Sequence, residues 1–203
     1  HEGGLQPTFW WRDDDARQDT AALRRLNQLS LDYAIALHLA VVPEGADASL
    51  HACFAENPRL FALQHGYSHR NYAAADQRKC ELGQDRPLAS VIAELAVGRS
   101  ALAGLLDEAF VAVLVPPWNR LNAALVQRLA GEGYAGLSTL GPRPAALIDG
   151  LRQVNVHIDL IDWKTRRFAG DERVLAQVIS HLAARRSGSV DANEATGLRT
   201  HHL

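Results

Sequence analysis

The chain alternates short apolar runs with longer stretches in which apolar residues recur every three or four positions. Runs of the first kind, read as strands, are Thr8–Trp11, Tyr33–Val42, Leu60–Gln64, Ala112–Val115, Tyr134–Ser138, Arg152–Ile158 and Gly197–Thr200. Stretches of the second kind, read as helices, cover Thr20–Leu29, Pro87–Leu106, Leu121–Ala130 and Glu172–Ala184. In the first, Ala22, Leu23, Leu26 and Leu29 share a face. The second opens with Pro87 in a first-turn position and repeats Leu88, Val91, Ile92 and Leu95, and Gly131 and Gly133 close the third. Seven strand candidates separated by helices predict parallel β/α units, because parallel strands need a crossover long enough to bring the chain back. Periodicity alone does not separate a barrel from an open sheet. The polar stretch Arg185–Thr196 reads as a loop, no linker divides the chain, and one domain over residues 1–203 is expected.

Composition narrows the function classes. Twenty-one basic against 23 acidic side chains give a formal net charge of −2, which argues against a general nucleic-acid or polybasic membrane binder. No apolar run is read as reaching the ~20 residues that cross a bilayer, so no membrane partner is expected. Two cysteines, Cys53 and Cys80, make neither a disulfide scaffold nor a four-cysteine zinc site and fit a reducing, cytoplasmic compartment. A chain that starts at His1 and holds no Met is read as a trimmed one, which keeps a secreted or periplasmic location open. Nothing in the sequence speaks to oligomeric state.

In parallel β/α folds, reactive groups gather where the strands end. The residues just past the strand candidates are Asp13-Asp14-Asp15, His65 with His69, Pro116-Pro117-Trp118-Asn119, Asp159 with Asp162-Trp163, and His201-His202. Two His four residues apart present both imidazoles to one point if the segment is helical or tightly turned, which suits a metal ion. Adjacent carboxylates after Trp11 offer one group to ligate a cation and another to act as base. The plainer readings are an N-cap for the helix near Thr20, for which Asp15 is a candidate, and a packed Trp at the end of Asp159–Trp163. His38, His51, His157 and His181 are read as structural or surface residues.

Together these pieces resemble the polysaccharide deacetylase family, the NodB-homology or carbohydrate esterase family 4 group. Its motif T-F-D-D-G looks like Trp11–Asp15, H-[ST]-x-x-H resembles His65–His69, and R-P-P-[YW] is similar to Val115–Trp118. D-x-x-D-W is matched by Asp159–Trp163, and the apolar strand ending in His corresponds to Leu198 through His201 or His202. The resemblance implies an α/β fold, a distorted (β/α)7 barrel, and a metal-dependent hydrolase that removes the N-acetyl group of a sugar or another small amide. It implies Asp13 as base and Asp14, His65 and His69 as metal ligands. Trp118 would give a backbone N–H to the oxyanion, and His201 or His202 would be the acid, tuned by Asp159. Trp163, Pro117, Asn119 and Arg120 would border the substrate. Such a ligand set accepts Zn2+, with Co2+, Ni2+ or Fe2+ as alternatives.

Three departures stand out: Val115 replaces the arginine that contacts the base, Gly66 replaces Ser/Thr, and Asp15 replaces a Gly. Arg12 or Arg120 is expected to substitute for that arginine. Arg120 is preferred, because strand neighbours point to opposite faces and Arg12 adjoins Asp13. With four Trp and four Tyr, several already at the motifs, few aromatics remain to stack along a sugar chain, so a small or weakly held substrate is expected. The competing classes are a hydrolase of a non-carbohydrate amide and a non-catalytic sugar-binding barrel.

Overall fold

The strands of the described residues, 6–202 of the computed structural model, are β1 (Phe9–Ala16), β2 (Leu37–Val41), β3 (Leu60–His65), β4 (Phe110–Val115), β5 (Gly136–Leu137), β6 (Leu147–Ile148), β7 (Leu151–Gln153), β8 (Ile158–Asp159), β9 (Ile161–Asp162), β10 (Arg167–Phe168) and β11 (Thr196–His201). The α-helices are α1 (Ala21–Asp32), α2 (Ser49–Glu56), α3 (Leu88–Leu106), α4 (Ala123–Leu129) and α5 (Asp171–Ser187). Nine strands form one sheet in the order β6-β7-β5-β4-β3-β2-β1-β11-β8, and β9 pairs with β10 in a separate hairpin. Every pair in the large sheet is parallel except β6 with β7. All seven strand candidates thus fall on sheet segments, and the predicted Arg152–Ile158 run divides into β7 and β8.

That divided run ties the two sides of the sheet. Val154 and Val156 donate their N–H groups to Leu137 and Thr139, while His157 and Leu160 donate to Gly197 and Arg199. One extended segment therefore bonds the β5 side first and β11 second.

Alternating burial explains the packing. Leu37, Leu39 and Val41 of β2 meet Leu23 of α1, Leu50 and Phe54 of α2, and Leu102 and Leu106 of α3 in one core. A second core joins Val91 and Leu95 of α3 to Leu125 and Leu129 of α4 and to Leu114 and Leu151 of the sheet. Ala40, Leu63 and Val115 form a third, on the other side of the strands. Thr20 caps α1 through its hydroxyl, which accepts from the Leu23 N–H at 3.1 Å, so no aspartate is needed there. Leu88–Ala109 is long and apolar enough to cross a membrane by length and composition, which corrects the expectation that no run is. Here α3 buries Val91, Leu95, Gly98, Leu102 and Leu106, a helical stripe, against the rest of the fold.

Candidate active site and metal centre

The three aspartates lie inside β1 rather than beyond it, and a bulge decides where each one points. Asp13 pairs with Leu39 and Ala16 with Val41, so three steps along β1 face two along β2. Asp15 absorbs the extra residue at φ 77°. Strict alternation is broken, and Asp14 and Asp15 both line one cleft of about 570 Å³ together with His65, His69, Trp118, Trp163 and His201.

Asp13 turns to the opposite side. It is fully buried, accepts from the Thr200 hydroxyl at 2.6 Å and pairs with His202 Nδ1. The expected base is thus outside the cleft, and so is His202; of the two terminal His, only His201 faces it. The physical reason is the pleat: Asp13 and Asp14 are strand neighbours, as are His201 and His202.

Asp14 does not join the two imidazoles as expected. Arg12, two residues earlier on the same face, grips it with Nε 2.7 Å from Oδ1 and Nη2 3.0 Å from Oδ2. Arg12 is itself fully buried and also donates to the Ser138 hydroxyl at 2.7 Å and to Asn119 Oδ1 at 3.2 Å. Burial works to raise the Asp14 carboxyl, but Arg12, then His65, Arg199 and His201, hold it below the usual carboxylate range. Arg12, not Arg120, therefore supplies the guanidinium that Val115 lacks. The alternation argument holds for Asp13 and misses Asp14, which carries the pairing. Arg120 sits on the cleft rim, where Nη1 donates to the Lys79 carbonyl at 2.8 Å.

The carboxylate beside the imidazoles belongs to Asp15: its Oδ1 is 3.1 Å from His65 Nε2 and 3.2 Å from His69 Nε2. His65 Nδ1 lies 2.9 Å from the Val115 carbonyl, which can only accept, so Nδ1 carries a proton, and in the neutral form of the ring the Nε2 lone pair faces Asp15. The Asp15 carboxylate and the Nε2 lone pair of His65 converge on one point with His69 Nε2 beside them, and such acceptors repel unless a proton or a cation lies between them. The donor set Asp15, His65 and His69, with its ligand atoms all within 4.8 Å of one another, therefore fits a divalent ion. Burial would raise the Asp15 carboxyl; where the two imidazoles are protonated and no ion lies between them, the hydrogen bond from His65 and the charges of His65 and His69 outweigh burial and pull it well down. Burial and His65 keep His69 below the ordinary imidazole value, with Asp15 opposing them.

A buried Glu81 shapes the turn that carries these His. Its Oε1 accepts from the backbone N–H of Tyr67 at 3.2 Å and of Ser68 at 2.7 Å, and its Oε2 from that of His69 at 3.2 Å. Gly66 is required here. It has φ 56°, and a Cβ would come within 2.1 Å of Glu81 Oε2 and 2.7 Å of Pro117. Trp118 and Asn119 follow Pro117 with positive φ, and the Trp118 ring packs 4.5 Å from His69.

No protein-family model and no curated protein matches the sequence. Solved structures do. A family 4 carbohydrate esterase from Streptomyces lividans, in complex with acetate, superposes with a TM-score of 0.61 at 14% identity, over 97% of this chain and 80% of that one. The peptidoglycan deacetylase PdaC from Bacillus subtilis gives 0.59 at 12%, over 98% and 76%. A mutant of BA3943, described as a family 4 pseudoenzyme with restored enzymatic activity, gives 0.62 at 11%, over 98% and 57%. The fold is that of the family 4 carbohydrate esterases.

Within this esterase fold the remaining expected residues take these places. His201 lies with Nε2 3.9 Å from Asp14 Oδ2 and its ring edge-on to Trp163 at 4.7 Å. Burial lowers its imidazole, Asp14 acts to raise it, and Arg199 adds to the lowering. Asp159, which the resemblance makes the residue that tunes the acid His, pairs with Arg199 and accepts from Trp163 Nε1 at 2.7 Å, and the Trp163 ring in turn packs against His201. Glu81 and Arg199 were not anticipated. Glu81 reaches the site from a loop 12 residues past His69, and no local pattern marks it.

Proposed function

We propose that the chain is a metal-dependent deacetylase that hydrolyses the N-acetyl amide of an acetylated sugar. The observation that carries this reading is the convergence, in one cleft, of an ionised carboxylate (Asp14), a cation-shaped triad (Asp15, His65, His69) and an imidazole (His201). Similarity of fold to an esterase solved with acetate supports it. A divalent ion held by the triad would supply a Lewis acid for the amide carbonyl and for a water. Asp14, kept charged by Arg12, takes the proton of the attacking water. His201, 3.9 Å from Asp14 Oδ2, delivers a proton to the departing amine, so proton uptake and release sit side by side. The Trp118 N–H is assigned to the developing oxyanion. Val115 in place of the arginine would favour a non-catalytic barrel, and Arg12, paired with Asp14, supplies that guanidinium from β1.

The experiment is acetate release from N-acetylglucosamine oligomers before and after chelation. The reading expects release that chelator abolishes and Zn2+ or Co2+ restores. Release that survives complete chelation would overturn it.

A further inference from the structure

The cleft is far more basic than the chain as a whole. Its border includes Lys79, Arg120, Arg166 and Arg199, although the net charge is −2. Arg199 is spent on Asp159, and the floor carboxylates are spent on Arg12 and the imidazoles. Among the described residues, Lys79, Arg120 and Arg166 have no carboxylate within 4.0 Å.

These three come from separate parts of the chain. Lys79 lies in the loop before α3, Arg120 follows β4, and Arg166 sits in the turn between β9 and β10. The Arg120 bond to the Lys79 carbonyl ties two of them together and leaves most guanidinium N–H groups free. The Arg166 N–H donates to the Asp162 carbonyl at 2.6 Å, closing the hairpin that also exposes Lys164 and Arg167. Like charges gathered round a concave site repel one another, and the field of such a site favours ligands of opposite sign.

We propose that the substrate of this cleft is anionic: an N-acetylated sugar chain that also carries oxyanion groups, carboxylate or sulfate, which meet Lys79, Arg120 and Arg166. This rests on the deacetylase reading for the acetyl group, while the charge preference stands on the rim alone. Rim ion pairs are individually weak, so three together amount to about a tenfold preference that salt erodes.

The test compares N-acetylglucosamine oligomers with oligomers of equal length in which N-acetylglucosamine alternates with a uronic acid. Expected is a KM about tenfold lower for the acidic series at 50 mM salt, converging on the neutral series at 500 mM. The K79Q/R166Q variant should narrow the gap. Equal KM values, or a gap indifferent to salt and to the variant, would overturn the proposal. If neither series is deacetylated, the deacetylase reading fails instead, and calorimetric titration with the same two oligomers decides the charge preference. Tighter acidic binding upholds it; equal binding overturns it.

Discussion

Two clusters among the described residues have the same make-up, one carboxylate and two His, and opposite surroundings. Asp15, His65 and His69 border the open cleft; His157, His181 and Glu194 lie between α5 and the sheet, also with ligand atoms within 4.8 Å. Behind His65 stands a carbonyl, so the proton sits on Nδ1 and the lone pair faces Asp15. Behind His157 stands the Gly197 N–H, which donates to Nδ1 at 3.0 Å; the proton of the neutral ring is then on Nε2, 3.3 Å from Glu194. A proton then lies between the groups of the second cluster, where the proposed reading puts a cation in the first. In the reading proposed above, the polarity of one backbone group, not the residue list, is what would separate a metal centre from a buried stack of imidazoles.

The sharpest break is stoichiometric. Zinc-saturated, desalted protein should retain one ion per chain by elemental analysis. His69→Ala should retain none and His181→Ala still one; two ions in the parent, with one lost in His181→Ala, would erase the distinction.

Next in size is Asp14, the proposed proton acceptor beside the cleft cluster. Asp14→Asn should lower acetate release by about 10²–10⁴-fold with the metal retained. Asp13→Asn should act on stability more than on turnover, because Asp13 holds Thr200 and His202 on the far face. The reverse ranking would return the base to Asp13.

Arg12→Met strips Asp14, a carboxylate only 2% exposed at the floor of the cleft, of its partner. A loss of about 3–5 kcal/mol in chemical denaturation is expected, as for other broken buried pairs. A loss under about 1 kcal/mol would mean that Arg199 and His201 suffice.

A smaller effect follows from pH and touches both regions. Burial lowers His38 on β2, and burial with the neighbouring His157 lowers His181 to about 4. The unfolded chain binds those protons from about pH 6.5 downward while the folded chain does not. Stability of metal-free protein is therefore full above that pH and declines as pH falls toward 4. The depressed carboxyls of Asp14 and Asp15 act further down, losing their contribution only as pH drops below the ordinary carboxylate range. A denaturation midpoint that stays flat from pH 7.5 to 5 would contradict the first part.

Smallest of all, Arg120→Ala should leave the acidic limb of the pH–rate profile where it is, since Arg120 contacts the Lys79 carbonyl and not Asp14. Movement of that limb would restore the link between Arg120 and the base.

Much of the design is legible along the chain because it is local. Period-two and period-3.6 patterns name the parallel strands and most of the helices, and the ends of those strands carry the reactive residues in order. A pair such as His65 and His69 stands out by its spacing together with its place at the end of a buried strand. What escapes is whatever depends on a partner distant in sequence or on one residue of register. Glu81 has no signature until the turn at Gly66 is folded over it. The places of Asp13, Asp14 and Asp15 hang on the pleat and on the bulge between Asp13 and Ala16, which sets Asp15 in the same cleft as Asp14. The same pleat separates His201 from His202. Even the meaning of a histidine, ligand or donor, waits on whether a carbonyl or an amide lies behind its ring, and only the packing of strand on strand supplies that group.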